Sequence, residues 1–113
     1  MHEISIINSA IDIVNESANK NNLKQVDTIC LNIGEFNFIE NDSLFFIFNI
    51  LKKGTICENA KLIINNIKGK GRCEYCNKEY LINYSNRNCP NCNRYIDNIT
   101  SGYELNVYEI EGK

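Results

Sequence analysis

Four of the six cysteines fall in two pairs of the same spacing, "CEYC" at 73–76 and "CPNC" at 89–92, with twelve residues between them. Each CxxC can close a tight knuckle, and the two together offer four thiolates to one ion. Four sulfur ligands in a tetrahedron with no open position make a structural zinc site, closed to substrate. Cys73, Cys76, Cys89 and Cys92 are therefore the expected ligands of Zn(II). Two disulfides, an iron–sulfur cluster or a redox pair are weaker readings, because no export signal precedes them and a reducing compartment disfavours disulfides. Cys30, in the alternating "TICLNI", and Cys57, just after Gly54, lie outside the pattern and read as small buried residues.

The single histidine, His2, stands in "MHEISI". Terminal segments are weakly held and seldom serve a core or a preorganised catalytic site, so the position suits a use of the terminus itself. An α-amine at Met1, the following peptide nitrogens and the His2 imidazole can wrap a metal in successive chelate rings. The amine titrates at about 7.7–8.0 and gives up its proton cheaply. Amide protons are displaced readily only by ions that favour planar nitrogen fields, such as Ni(II) and Cu(II). Histidine is too large a second residue for Met1 to be removed, so the chelate is self-consistent.

Composition excludes several other classes. Hydrophobic residues are 43% and charged residues 23% of the 113, ordinary values for one small domain with a module attached. Twelve basic against fourteen acidic residues leave a net charge of -2, with no general drive toward nucleic acid or an anionic membrane. No second histidine is present as a general base, a closed four-cysteine site holds no catalytic water, and Glu35, Glu40 and Asp42 read as solvated loop charges. The chain is expected not to be an enzyme. It shows neither a signal-peptide pattern nor an apolar run long enough to span a bilayer, so a cytoplasmic location is expected. The competing class is a zinc-ribbon nucleic-acid or protein-binding module, supported by Lys68, Lys70, Arg72 and Lys78 near the first knuckle. Glu74 and Glu79 in the same stretch, and only Tyr75, Tyr80 and Tyr84 as stacking groups, weigh against it.

The elements that must carry these groups follow from periodicity. Ile4, Ile7, Ile11, Val14 and Ala18 recur at three- and four-residue steps, one face of a helix beginning near residue 3. "TICLNI" at 28–33 alternates Ile29, Leu31 and Ile33 as a strand ended by Gly34. A second helix follows, with Asn41 or Asp42 as N-cap, Leu44, Phe45, Phe48 and Leu51 facing the core, and Gly54 at its end. "KLIINNI" at 61–67 is a strand, and "YELNVYEIE" alternates Tyr103, Leu105 and Val107 as a third. Between them, residues 69–101 contain few large aliphatics beyond Leu81, Ile82, Ile96 and Ile99, so the metal must supply much of that segment's folding energy. Gly69 and Gly71 mark its entrance and Ser101–Gly102 its exit. The expected fold is α+β: a small three-stranded sheet with two helices on one face, formed by 1–68 with 102–113, and an inserted four-cysteine zinc ribbon at 69–101.

"MHEISI", "IGEF" closing the first strand, "ENDSLFFIF" opening the second helix and the two CxxC pairs before a terminal strand together resemble the HypA/HybF family of hydrogenase-maturation nickel metallochaperones over the full length. The resemblance implies Ni(II) as a transient cargo at His2, with Met1 and Glu3 contributing the terminal amine, backbone nitrogens and the Glu3 carboxylate. It also implies an acidic residue near position 40, placed here at Glu40, and structural Zn(II) on the four cysteines. The implied partners are the large subunit of [NiFe]-hydrogenase, a nickel-binding maturation GTPase and, in some organisms, the urease maturation proteins, with no nucleic acid and no membrane.

Overall fold

The structure is a computed structural model and describes residues 3–113. Helix α1 spans Glu3–Lys20, strand β1 Val26–Gly34, a 3-10 turn Glu35–Asn37, helix α2 Asn41–Leu51, and strands β2 to β6 Lys61–Ile67, Lys70–Cys73, Lys78–Leu81, Asn98–Ser101 and Leu105–Gly112. No helix among the described residues is long and apolar enough to cross a membrane.

α1 buries Ile6, Ile7, Ala10, Ile11, Val14 and Ala18, the stripe its period demands. Glu3 in the first turn and Lys20 in the last complement the helix dipole. Ile4 departs from the expected face: it is 55% exposed, because in the first turn it borders an open groove with Phe46 and Ile50 instead of reaching the core. The helix stops where Asn22 turns left-handed, at φ 58°, and the Leu23 amide donates back to the Ala18 carbonyl at 2.9 Å.

α2 begins one residue earlier than its polar residues suggested. Glu40, with extended backbone, is the N-cap and makes no side-chain capping bond; Asn41 is already helical and Asp42 sits in the first turn, where a carboxylate favours the dipole. Leu44 and Phe48 are buried, whereas Phe45 and Leu51 are only partly covered. The helix ends at Leu51 with Lys52 as C-cap, and Gly54, at φ +76°, belongs to the turn beyond it.

The first sheet has the order β2-β1-β6. β1 is central and the most buried strand: Ile29, Leu31 and Ile33 line one face as the alternation requires, and Cys30 is buried between them on the other. β6 runs antiparallel to it, with the Lys113 amide donating to the Gln25 carbonyl at 2.9 Å near one end and the Gly34 amide to the Glu104 carbonyl at 2.7 Å near the other. Tyr103 does not join the strand; it precedes β6 and is 61% exposed. The second sheet, β4-β3-β5, is antiparallel, pairing Gly71 with Tyr80 on one side and with Ile99 on the other. Strands of four residues interrupted by cysteines carry too little alternation to be read from sequence.

The chain forms two compact units, one of residues 1–32, 39–65 and 106–113 and the other of residues 33–38 and 66–105. In the first, α1 packs against α2. Leu44→Ala is expected to destabilise this unit by about 2–5 kcal/mol, since Leu44 has no exposed surface, whereas Phe46→Ala, at a position 67% exposed, should change stability by under about 0.5 kcal/mol. Denaturant unfolding followed by the helical circular-dichroism signal measures both.

Candidate metal centre

Both knuckles are built by the same local device. After "CEYC" the chain turns through Asn77 at φ 59°, whose amide donates to the Cys73 carbonyl at 2.7 Å; after "CPNC" it turns through Asn93 at φ 63°, whose amide donates to the Cys89 carbonyl at 2.8 Å. Asparagine tolerates this left-handed backbone better than most side chains. Each turn folds its amides back on the first sulfur: Cys76 N lies 3.4 Å from Cys73 Sγ, and Cys92 N and Asn91 N lie 3.5 and 3.4 Å from Cys89 Sγ. Asn91 Nδ2 donates across to Cys76 Sγ at 3.3 Å. The Asn that follows each CxxC was a legible signal for these turns that the spacing alone did not convey.

The turns bring the four sulfurs within 4.8 Å of one another, with Cys73 and Cys92 at 3.6 Å and Cys76 and Cys89 at 3.8 Å. A tetrahedron whose corners lie about 2.3 Å from its centre, the zinc–thiolate distance, has edges of about 3.8 Å. The cluster therefore has the size and donor set of a closed zinc-ribbon site.

The electrostatics agree. Burial opposes ionisation of Cys89, but the amides of Cys92 and Asn91 and the neighbouring thiols outweigh it and lower its pKa to about 6. At Cys92 the Arg94 amide favours the thiolate, yet burial and the thiols of Cys73, Cys76 and Cys89 push the pKa up to about 12. One sulfur of the group is primed to ionise at the expense of another, and a divalent cation is what lets all four ionise together. Tyr80, packed against the cluster, is raised by burial and then by the charge of the same cysteines.

Ile82 and Ile96 pack with Cys73 and Cys89 in the core of this unit, and Ile99 is partly buried against them; Leu81 points away and is 61% exposed. The remaining core member, Phe36, lies far upstream in sequence. Cys30 and Cys57 are both buried and outside the cluster, as small apolar residues would be, and burial raises the Cys57 thiol against the opposing pull of the Thr55 hydroxyl.

Met1 and His2 lie outside the described residues. Glu3 is half-buried in the first turn of α1, on a groove of the first unit that it shares with Asp42, Ser43 and the apolar side chains of α2. Glu40 caps α2 through its backbone. Among the described residues, the four cysteines are the one cluster of ligand-type side chains close enough to hold an ion.

The fold is α+β with a four-cysteine site of zinc-ribbon type. The profile of the family described as "Hydrogenase/urease nickel incorporation, metallochaperone, hypA" matches residues 1–112, and the chain belongs to this family. It is 34% identical to hydrogenase maturation factor HypA of Rhizobium leguminosarum bv. viciae over 111 residues, 98% of each chain, and 36% identical to that of Chlorobaculum parvum over 110 residues, 97% of each. In fold it is similar to the solution structure of the Ni metallochaperone HypA from Helicobacter pylori, with TM-score 0.71 and 24% identity over 99% of this chain and 97% of that one. A second solution structure, of a HypA protein, gives TM-score 0.73 and 25% identity over 100% and 97%.

Cys73→Ser should lose bound zinc and unfold the second unit while the helices of the first persist. Zinc content by mass spectrometry and helical ellipticity check the two halves. A variant that keeps one zinc per chain and unchanged ribbon stability contradicts the assignment.

Proposed function

We propose that this protein carries Ni(II) on Met1, His2 and Glu3 and delivers it to the large subunit of [NiFe]-hydrogenase, with a nickel-binding GTPase as co-chaperone, while zinc on Cys73, Cys76, Cys89 and Cys92 holds the ribbon together. The observation that carries this reading is the family match, which begins at residue 1 and so includes the Met-His-Glu segment. The same family description names urease, which makes the urease maturation proteins a second class of recipient. The fit of the sulfur cluster to zinc supports the division of labour: a closed thiolate site retains its ion, and a cargo ion needs a different and more open one.

The chemistry of transfer follows from the donors. The Met1 amine and the amide and imidazole of His2 would supply chelating nitrogens that suit Ni(II), with Glu3 contributing through its backbone or carboxylate. The site forms from consecutive residues and needs no closing element, so a recipient can strip its ligands one at a time. Every donor must shed a proton or be neutral, so nickel affinity falls as pH drops through the amine and imidazole range of about 8 to 6.5. The Glu3 carboxylate shares the α2 groove with Asp42 and would supply an oxygen donor or negative charge to a bound cation. Glu40, the family-implied acid, is two residues from Asp42, and substituting each separately distinguishes them.

Nickel titration tests the proposal. His2→Ala is expected to weaken nickel binding at least about tenfold without altering zinc content or thermal stability. A single glycine added before Met1 should weaken it as well, because the amine leaves the chelate ring although every side chain is intact. The unmodified protein should show the absorption of planar diamagnetic Ni(II). Equal affinity in the glycine-extended protein, with an octahedral spectrum in both, would mean that His2 binds as a lone imidazole.

A further inference from the structure

Residues 34–36 fasten the ribbon at its neck. The ribbon leaves and rejoins the chain at Gly69 and Gly102, and the Phe36 ring lies against both. A Cβ at Gly69 would strike the ring at Cζ and Cε2, and one at Gly102 would strike it at Cδ2 and Cε2. Either glycine replaced by any other residue would displace the ring. Hydrogen bonds close the same seam. The Phe36 amide donates to the Gly102 carbonyl at 2.8 Å, the Gly34 amide to the Glu104 carbonyl at 2.7 Å, and the Gly69 amide to the Glu35 carboxylate. Gly34 itself has no room for a Cβ, which would collide with the Gly102 carbonyl. Asn37 adds bonds from its side-chain amide to the carbonyls of Gly34 and Glu104, at 3.2 and 2.8 Å.

On its other side Phe36 reaches the metal-binding core. It is 7% exposed, and its cluster consists of Cys73, Ile82, Cys89 and Ile96, with Cys76, Cys92, Tyr80 and Ile99 packed around them. Two of the five buried members are ligand cysteines. Remove the ion and the four cysteines lose the centre that holds the two knuckles together, so the wall against which the ring packs loosens. Remove the ring and both strands of the neck lose their shared contact, which frees the knuckles to open.

From this we infer that Phe36 is a positioning residue for the zinc site, and that zinc occupancy in turn orders the 34–38 segment through which the chain passes from β1 to α2. The coupling is reciprocal because it is a free energy shared by two events: whatever Phe36 adds to zinc retention, zinc adds to the order of the segment. Seated zinc thereby fixes the backbone of residues 34–38 within the second unit. The inference rests on zinc filling the four cysteines and is independent of where nickel binds.

Two measurements test it. The first is zinc transfer to a chromogenic chelator. Phe36→Ala should release zinc at least about tenfold faster than the unmodified protein, and Phe36→Leu, which keeps an apolar side chain between the glycines, should fall between the two. Thermal unfolding of the first unit should be unchanged in both. The second uses the unmodified chain after a chelator has stripped it, and so decides the matter even if Phe36→Ala does not fold. Hydrogen exchange at the Gly34 and Phe36 amides should accelerate together with that at Asn77 and Asn93, while α1 stays protected. Release from Phe36→Ala at the unmodified rate, or Gly34 and Phe36 amides still protected after zinc is removed, would overturn the inference. Zinc stoichiometry measured beforehand keeps the cases apart: an unmodified protein holding no zinc refutes the metal assignment itself.

Discussion

Four sulfur atoms within 4.8 Å of one another are the constraint on which the second unit depends. The core cluster of the unit has five buried side chains, and two of them, Cys73 and Cys89, are members of the sulfur cluster. Three strands of four residues and a handful of aliphatics would not hold so small a body in water unaided, since few apolar atoms are available for burial. A bound divalent ion converts four mutually unfavourable thiolates into the strongest set of contacts in the unit. Metal affinity and folding are then one quantity. This is also why the knuckles carry left-handed asparagines and amides aimed at sulfur: the backbone is committed to presenting donors even where the conformation is disfavoured.

The first unit is held together in a different way. Its core is apolar, supplied by one stripe of α1, by Leu44 and Phe48 of α2 and by the central strand β1, and it needs no metal to close. That independence suits a carrier. On the proposed function, exchange of a cargo ion would leave this apolar core untouched, while the four cysteines would keep the resident ion. The exposed side chains of Ile4, Phe46 and Ile50 border the groove that also holds Glu3 and Asp42, so these two carboxylates sit on an otherwise apolar rim.

Much of this was legible in the sequence, for identifiable reasons. The helical period from Ile7 to Ala18, the alternation from Ile29 to Ile33 and the paired CxxC spacing are each repeated signals whose errors average out, and they located α1, β1 and the sulfur cluster. Single residues were less legible. Ile4 obeys the helical period but lies at an end where nothing covers it. Asn41 has the chemistry of an N-cap, yet it is already the first residue of α2, and Glu40 before it caps the helix by its backbone alone. Tyr103 continues the alternation of β6 but falls outside the strand. The largest omission was Phe36. One aromatic in a short polar turn has no local period, and its partners are glycines more than thirty positions away, which read only as the entrance and exit of the ribbon although they leave the space that the ring fills.

The central claim is that one chain keeps two metals on two chemically distinct donor sets. X-ray absorption at the nickel and zinc edges of the same doubly loaded sample tests it most directly. The account predicts four sulfur scatterers around zinc at about 2.3 Å, and a nickel edge with nitrogen and oxygen neighbours and no sulfur. Sulfur in the first shell of nickel would show that the cysteine cluster takes both ions and would contradict the separation of cargo from structural metal.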